Sequence, residues 1–238
     1  MMIWSRLLLH SWTLALASGL LPTHEERVSV FLYLPATLPC AFPFVEALSD
    51  LTMIWVKVKD QREVIIYKLL YGEESPEEQD HRYKGRVELS REFSQGNLHL
   101  TIKNVTYEDE GTYYCRAANH KGHGDKKVTL AIDKLNAVEP TVTLVTVGGK
   151  RCMKCRGSGV YGDPEVQWIT AQGEDLSSYG KPNITEKEDG WKVVESTLHY
   201  DILKNVQILC HIKEGRLKRS TRAVISDGTS SVIVENDF

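Results

Sequence analysis

The chain has 238 residues, 42% of them hydrophobic and 26% charged, with a formal net charge of -3. That length suits two modules of roughly 100 residues each, or one larger domain, with enough apolar material to build a core. The nearly balanced charges exclude the positive field that nucleic acid or an anionic membrane surface would call for.

Residues 1–24 read as a secretory signal peptide. Arg6 is the only charge before Glu25, and "LLLHSWTLALASGLL" is apolar but short and interrupted. No other stretch is apolar enough to span a bilayer. The product is therefore expected to be secreted or extracellular, or to be the ectodomain or soluble form of a cell-surface protein. Next come short β-rich runs separated by turns: "VSVFLYL", "LTMIWVKVK", "EVIIYKLLY", "GRVELS", "NLHLTI", "GTYYCRAA" and "KKVTLAI". Between them, "YGEESPEEQDHRYKG" reads as a polar loop with a short edge strand. After the connector "DKLNAVEP" the pattern restarts with "TVTLVTV", "KRCMKCRGS", "EVQWIT", "WKVVESTLHY", "VQILCHIKEG" and "RAVISDG". The basic run from Arg216 to Arg222 reads as a solvated hairpin. The fold class is all-β, in two tandem modules, with a polar tail at the end.

There are five cysteines, Cys40, Cys115, Cys152, Cys155 and Cys210, and an oxidising compartment makes disulfides their default state. Trp55 follows Cys40 and Trp168 follows Cys155, each about one strand later. Many short strands carrying a Cys…Trp…Cys order are the signature of an immunoglobulin sandwich, in which the indole packs on an inter-sheet cystine. That signature links Cys40 to Cys115. In "NVTYEDEGTYYC", period two puts Tyr113 and Cys115 on one face, with Tyr113 where a tyrosine corner belongs. Arg86 is placed to form a salt bridge with Asp109 across the base of the sheet. Trp55, Trp168 and Tyr113 are the expected core anchors. Asn104-Val105-Thr106 and Asn183-Ile184-Thr185 are glycosylation acceptors, at Asn104 and Asn183.

In the second module, Cys152-x-x-Cys155 with Cys210-His211 raises the alternatives of zinc or a redox pair. Strand alternation sends neighbouring side chains to opposite faces, which opposes both. Cys155 is paired with Cys210 because its spacing to Trp168 fits the module better than that of Cys152. Cys152 is left unpaired and facing outward, either as a free thiol or as a link between two chains.

The segment "ELSREFSQGNLHLTIKNVTYEDEGTYYCRAANHKGHGDKKVTLAI" resembles the second half of a variable-type immunoglobulin domain. "CRGSGVYGDPEVQW", with its G-x-Y-x-x-P-x-V-x-W pattern, resembles the constant-like domain of the butyrophilin and B7 co-stimulatory ligands. Together they cover nearly all of the expected mature chain. One departure is Ile208, which stands where a tyrosine two before Cys210 would be. The resemblance implies a variable-type domain over 25–133, a constant-like domain over 134–228 and a C-terminal tail over 229–238. It also implies an immune ligand that binds a protein counter-receptor on T cells and modulates their activation, with the second domain as a spacer. Relatives continue into a stalk and membrane helix, and this sequence shows no transmembrane segment. A two-fold homodimer through related surfaces is a further arrangement.

Residue patterns mark the same sheet. With Met53 and Trp55 inward, Ile54, Val56 and Val58 should face out, joined by Tyr67, Tyr114 and Arg116. An apolar outer face carrying tyrosine and arginine suits a receptor-binding surface. The bland alternative is that the polar insert or the second module covers it. "NHKGHG", Asn119 to Gly124, reads as an exposed hairpin tip that could add to the face. A homophilic or heterophilic adhesion protein, or a receptor ectodomain of another immunoglobulin group, is the rival function. A carrier of a small apolar ligand is a second rival and requires an enclosed cavity. No nucleophile motif, phosphate-binding loop or metal-spaced cluster points to an enzyme, a small-molecule substrate, a cofactor or a metal.

Overall fold

The computed structural model describes residues 26–90, 96–200, 207–225 and 232–235. The expected signal segment 1–24 lies outside these residues. Among the described residues, no helix is long and apolar enough to cross a membrane.

The all-β tandem architecture read from the sequence is the one observed. In the first module the strands are β1 (Glu26–Phe31), β2 (Ala36–Leu38), β3 (Thr52–Lys59), β4 (Arg62–Leu70), β5 (Glu73–Glu74), β6 (Val87–Leu89), β7 (Leu100–Ile102), β8 (Gly111–Asn119) and β9 (Gly122–Lys134). They form a six-stranded sheet, β1-β9-β8-β3-β4-β5, packed on a three-stranded sheet, β2-β7-β6. β1 runs parallel to β9, and the other pairs are antiparallel.

The second module contains β10 (Thr141–Val147), β11 (Lys150–Val160), β12 (Glu165–Thr170), β13 (Gly180–Glu186), β14 (Lys192–Leu198), β15 (Gln207–Glu214), β16 (Leu217–Ile225) and β17 (Val232–Glu235). Its sheets run β10-β11-β14-β13 and β12-β15-β16-β17. The segment expected to be a tail from residue 229 thus supplies an edge strand. Residues 232–235 read Val-Ile-Val-Glu, a β-branched run that suits pairing with β16.

Each module is held by a cystine with an indole beside it. Cys40 and Cys115 are bonded, with Cα atoms 6.4 Å apart, and Trp55 is fully buried in the same cluster. The indole N–H of Trp55 donates to the Leu98 carbonyl at 3.2 Å. In the second module Cys155 bonds Cys210, and Trp168 lies in their cluster with its N–H donating to Ser196 Oγ at 3.0 Å. Both indoles bury a large apolar surface and still satisfy their one donor, which keeps the burial favourable.

The base of the first sandwich is polar and closely satisfied. Tyr113 is fully buried, and its hydroxyl donates to the Asp109 carbonyl at 2.5 Å. Burial raises the Tyr113 phenol well above its ordinary range, so it stays a neutral donor. Asp109 ends a one-turn 3-10 helix, Tyr107–Asp109. Its carboxylate accepts from Arg86 Nη2 at 2.6 Å and from the Thr106 backbone N–H at 2.8 Å. Lys57 follows Trp55 by two residues, so alternation drives it inward as well. It is 5% exposed, donates to the Glu108 carbonyl and stands 5.6 Å from the Tyr113 ring centroid. Burial lowers its amine to about 8, an effect the Asp109 charge partly offsets.

The two modules meet at a shaped joint. Tyr33 donates to Glu214 Oε1 at 3.0 Å, and Tyr107 donates to the Glu214 carbonyl at 2.8 Å. Burial, then the bond to Glu214, pushes the Tyr33 phenol up to about 12. Arg216 lies 4.3 Å from the Tyr107 ring centroid and donates to Glu110 Oε1 at 2.5 Å and to the Ile132 carbonyl at 2.8 Å. Gly215 between them has φ +56, and a Cβ there would stand 2.9 Å from the Tyr107 ring. Leu217 packs against both the first core and the Leu135–Val160–Val194–Ile212 cluster. The basic run expected to be a solvated hairpin is therefore anchored at its first residue, because Arg216 finds an aromatic face and a carboxylate across the joint. A stacked cation and an exposed ion pair together contribute about 1–2 kcal/mol. Arg216→Ala should accordingly shift the closed-to-open ratio of the joint by roughly tenfold. Small-angle scattering should show a broader interdomain distribution, while each module's thermal transition stays in place. An unchanged scattering profile would mean that other contacts fix the angle.

Candidate functional site

The candidate site is the outer face of the β9-β8-β3-β4 part of the large sheet. Register sets its composition. On β3, Ile54 lies opposite Arg116 and Lys68, and Val58 lies opposite Glu63. On β8, Tyr114 lies opposite Lys127 and Arg116 opposite Asp125. Ile54, Val58, Tyr114 and Arg116 are all partly exposed.

Two residues expected on this face are not available there. The pairing of β3 with β4 shifts between Trp55 and Val56, so that Trp55 faces Tyr67 while Val56 faces Ile65. This bulge turns Tyr67 to the side of Trp55, into the core, where it is 8% exposed. Its hydroxyl donates to Glu74 Oε1 at 2.9 Å. Val56 keeps the outward parity of Ile54 and Val58, yet it is only 1% exposed. The cover comes from a strap. Arg116 on β8 and Glu63 on β4 flank β3 on opposite sides, level with Ile54 and Val58. Their side chains meet at 2.5 and 2.8 Å, so the ion pair crosses above the residue between those two, Val56. Arg116 also stands 5.4 Å from the Tyr114 ring centroid. The guanidinium holds the Glu63 carboxyl below its ordinary value through this hydrogen bond.

Beside the strap the face opens into a shallow depression of about 400 Å³, lined by Ile54, Arg116, Ala118, His123, Gly124 and Asp125 among others. The hollow exists because Ala118 carries almost no side chain next to the longer Ile54 and Arg116. The hairpin tip above it is not a free loop. Asn119 Nδ2 donates to the Phe44 carbonyl at 3.1 Å, and His120 and Lys121 pair with Asp50 and Glu46. Glu63, Ala118, His123 and Gly124 escaped the alternation argument, which scores apolar residues and ignores small ones. Ala118, two residues after Arg116 and opposite His123 near the turn, was the available signal.

The remaining residues singled out in the sequence lie elsewhere. Asn104 is exposed on a turn with φ +49, and its carbonyl accepts from Arg86 Nη2 at 2.9 Å. Asn183 is exposed on β13. Cys152, expected to face outward as a free thiol or an interchain link, is a free thiol, but it is buried at 2% exposure. Its parity is outward, opposite Val145, but His199 Nδ1 lies 3.6 Å from its sulfur, and the thiol is not presented to a second chain. Among the described residues there is no group of three or more His, Cys, Asp or Glu that could hold a metal ion.

Comparison with known proteins covers both modules. Residues 23–133 match the Immunoglobulin V-set domain, and residues 140–222 match the Butyrophilin subfamily 3 member A2-like, Ig-C domain. The chain is 28% identical over 200 residues to butyrophilin subfamily 1 member A1 of Homo sapiens, covering 83% of this chain and 37% of that protein. It is 29% identical over 203 residues to T-lymphocyte activation antigen CD86 of Oryctolagus cuniculus, covering 77% and 58%. The chain thus spans less than two thirds of the length of these relatives. A crystal structure of bovine butyrophilin is similar with a TM-score of 0.47 and 22% identity, covering 84% of this chain and 95% of that one.

Proposed function

Because this extracellular chain belongs to the butyrophilin and B7-like ligand family of the immunoglobulin superfamily, we propose that it is an immune ligand whose first module binds a protein counter-receptor on lymphocytes and modulates T-cell activation. The observation that carries the reading is the outer sheet face. It exposes Ile54, Val58 and Tyr114 around an arginine already held in place by a carboxylate, next to an open hollow. Aromatic residues and arginine are the side chains that most often anchor protein interfaces, and here the arginine has little rotamer freedom left to lose. Antiparallel sheets commonly wet one face, so an apolar and aromatic outer face needs a partner to explain it. The likeness to a protein named a T-lymphocyte activation antigen supports lymphocytes as the place to look. The second module carries the first, and the joint through Tyr107 and Arg216 sets the direction in which the face points.

The test is binding of the Fc-fused chain to activated T cells, read by flow cytometry. Tyr114→Ala and Arg116→Ala should each weaken binding by about tenfold or more, as removal of an interface anchor does. Lys218→Ala in the second module should leave it unchanged. Binding that survives simultaneous replacement of Ile54, Val58, Tyr114 and Arg116 would remove the face from consideration. Self-association through this face, with no binding to T cells, would turn the reading to adhesion.

A further inference from the structure

Among the described residues, the longest sheet edge left uncovered carries an Asn-x-Thr acceptor at its centre. β13 spans Gly180–Glu186 and pairs only with β14, so its other side offers unpaired backbone groups along a seven-residue strand. Every residue from Lys181 to Glu186 is exposed. Other edges of the second module are covered. β12 is bridged by its own following loop, through Ile169 with Asp175 and the Leu176 N–H on the Trp168 carbonyl. β10 packs beside β16 and β17. In the first module the edge strands β2, β5 and β6 have only two or three residues each, and the six-residue edge strand β1 packs beside β2.

A long flat edge is a template for pairing with another chain, and proteins blunt such edges with charges, proline or a covering group. β13 has Lys181 and Pro182 at one end and Glu186 at the other. Its centre, Asn183-Ile184-Thr185, has neither charge nor proline. Ile184 there is 44% exposed, and isoleucine and threonine both favour strands. That uncharged centre is also an Asn-x-Thr acceptor. Asn183 is in register with Glu195, whose carboxylate pairs with Arg156 and Lys154 on the solvent face of the sheet. A group attached to Asn183 therefore rises into open solvent beside the edge and does not press on the core.

We infer that Asn183 carries an N-linked glycan, and that this glycan keeps the β13 edge from pairing with a second copy of the chain. In the modification, the Asn183 amide nitrogen bonds to C1 of a lipid-linked oligosaccharide. The lipid pyrophosphate leaves with the bonding electron pair, and the nitrogen loses one proton. The secretory pathway supplies the donor, and no oxidant or reductant is needed. The attached sugar is bulky, uncharged and strongly hydrated, and it occupies the space that an approaching strand would need.

The experiment uses the full chain produced by mammalian cells. Glycopeptide mapping should find Asn183 occupied, and sedimentation at graded concentration should give its self-association. Asn183→Gln should self-associate at a concentration at least about tenfold lower than the wild type. Adding Ile184→Lys to that variant should restore the wild-type profile, since a charge mid-edge opposes strand pairing. If Asn183→Gln is poorly secreted, endoglycosidase trimming of the folded Asn104→Gln variant, which leaves Asn183 as an uncharged amide, gives the comparison against the same variant untreated. An unmodified Asn183 in the mapped peptide overturns the inference. So does a sugar-free chain that sediments like the wild type, or association that Ile184→Lys does not reverse.

Discussion

Replacing Asp109 with alanine should cost the first module about 3–5 kcal/mol, the scale on which removing one partner of a buried ion pair acts. Asp109 is 2% exposed, and its carboxylate serves two neighbouring residues at once. It accepts from Arg86 Nη1 and Nη2, from the Thr106 N–H and, at 3.5 Å, from the Thr106 hydroxyl. Alanine would leave the Arg86 guanidinium, whose side chain is 27% exposed, without its anion. It would also release the turn that presents the Asp109 carbonyl to Tyr113. For a module of about 100 residues, a loss of this size lowers the unfolding midpoint by roughly 15–25 °C. Asp109→Asn keeps an oxygen for the Thr106 N–H and should lose less. The double variant Arg86→Ala with Asp109→Ala should be milder than the sum of the two single changes, with a coupling of about 1–3 kcal/mol, because no charge is then stranded. Calorimetry of the full chain at neutral pH reads all three. A shift of under about 1 kcal/mol for Asp109→Ala would show that the network is ornamental to stability.

The fold could be read from sequence because its signals are local and repeated. Short β-branched runs with polar turns between them leave few architectures open, and the all-β tandem answer followed. The outer face was only partly legible. Alternation from Trp55 assigns Ile54 and Val58 correctly to the solvent side, but it presumes an unbroken register. The bulge beside Trp55 moves Tyr67 inward, and nothing in "EVIIYKLL" announces it, since apolar residues occupy adjacent positions throughout. The burial of Val56 depends on Glu63 meeting Arg116 across a strand, a pairing of residues 53 positions apart. The joint has the same character. Tyr33, Tyr107 and Arg216 are unremarkable where they stand in the sequence, and only the three-dimensional approach of Gly215 to Tyr107 brings them together. Periodicity reports which way a side chain points, whereas availability at a surface depends on what long neighbours do above it.

The two cystines close loops of similar length, with separations of 75 and 55 residues, so their removal should cost similar amounts, on the order of 4 kcal/mol each in the loop-entropy picture. The consequences should nevertheless differ, because the cores they support differ. The first module's cystine lies in a continuous cluster that includes Trp55, Tyr83, Tyr113 and the leucines of β2 and β7, Leu38 and Leu100, among many others. The second module divides its apolar interior into a smaller cluster around Trp168 and a separate one around Leu135 and Ile212. A domain stabilised by about 5–15 kcal/mol can absorb such a loss only if it starts well above the lower bound. Cys155→Ala with Cys210→Ala should therefore leave the second module largely unfolded at 37 °C, with loss of its calorimetric transition, while the first module's transition remains. Cys40→Ala with Cys115→Ala should lower the first transition by roughly 15–25 °C without abolishing it. Both cysteines are replaced in each case so that no new thiol is left to pair with Cys152. Equal survival of the two modules would mean that the divided core is as strong as the continuous one, and the packing argument for the second module would then fail.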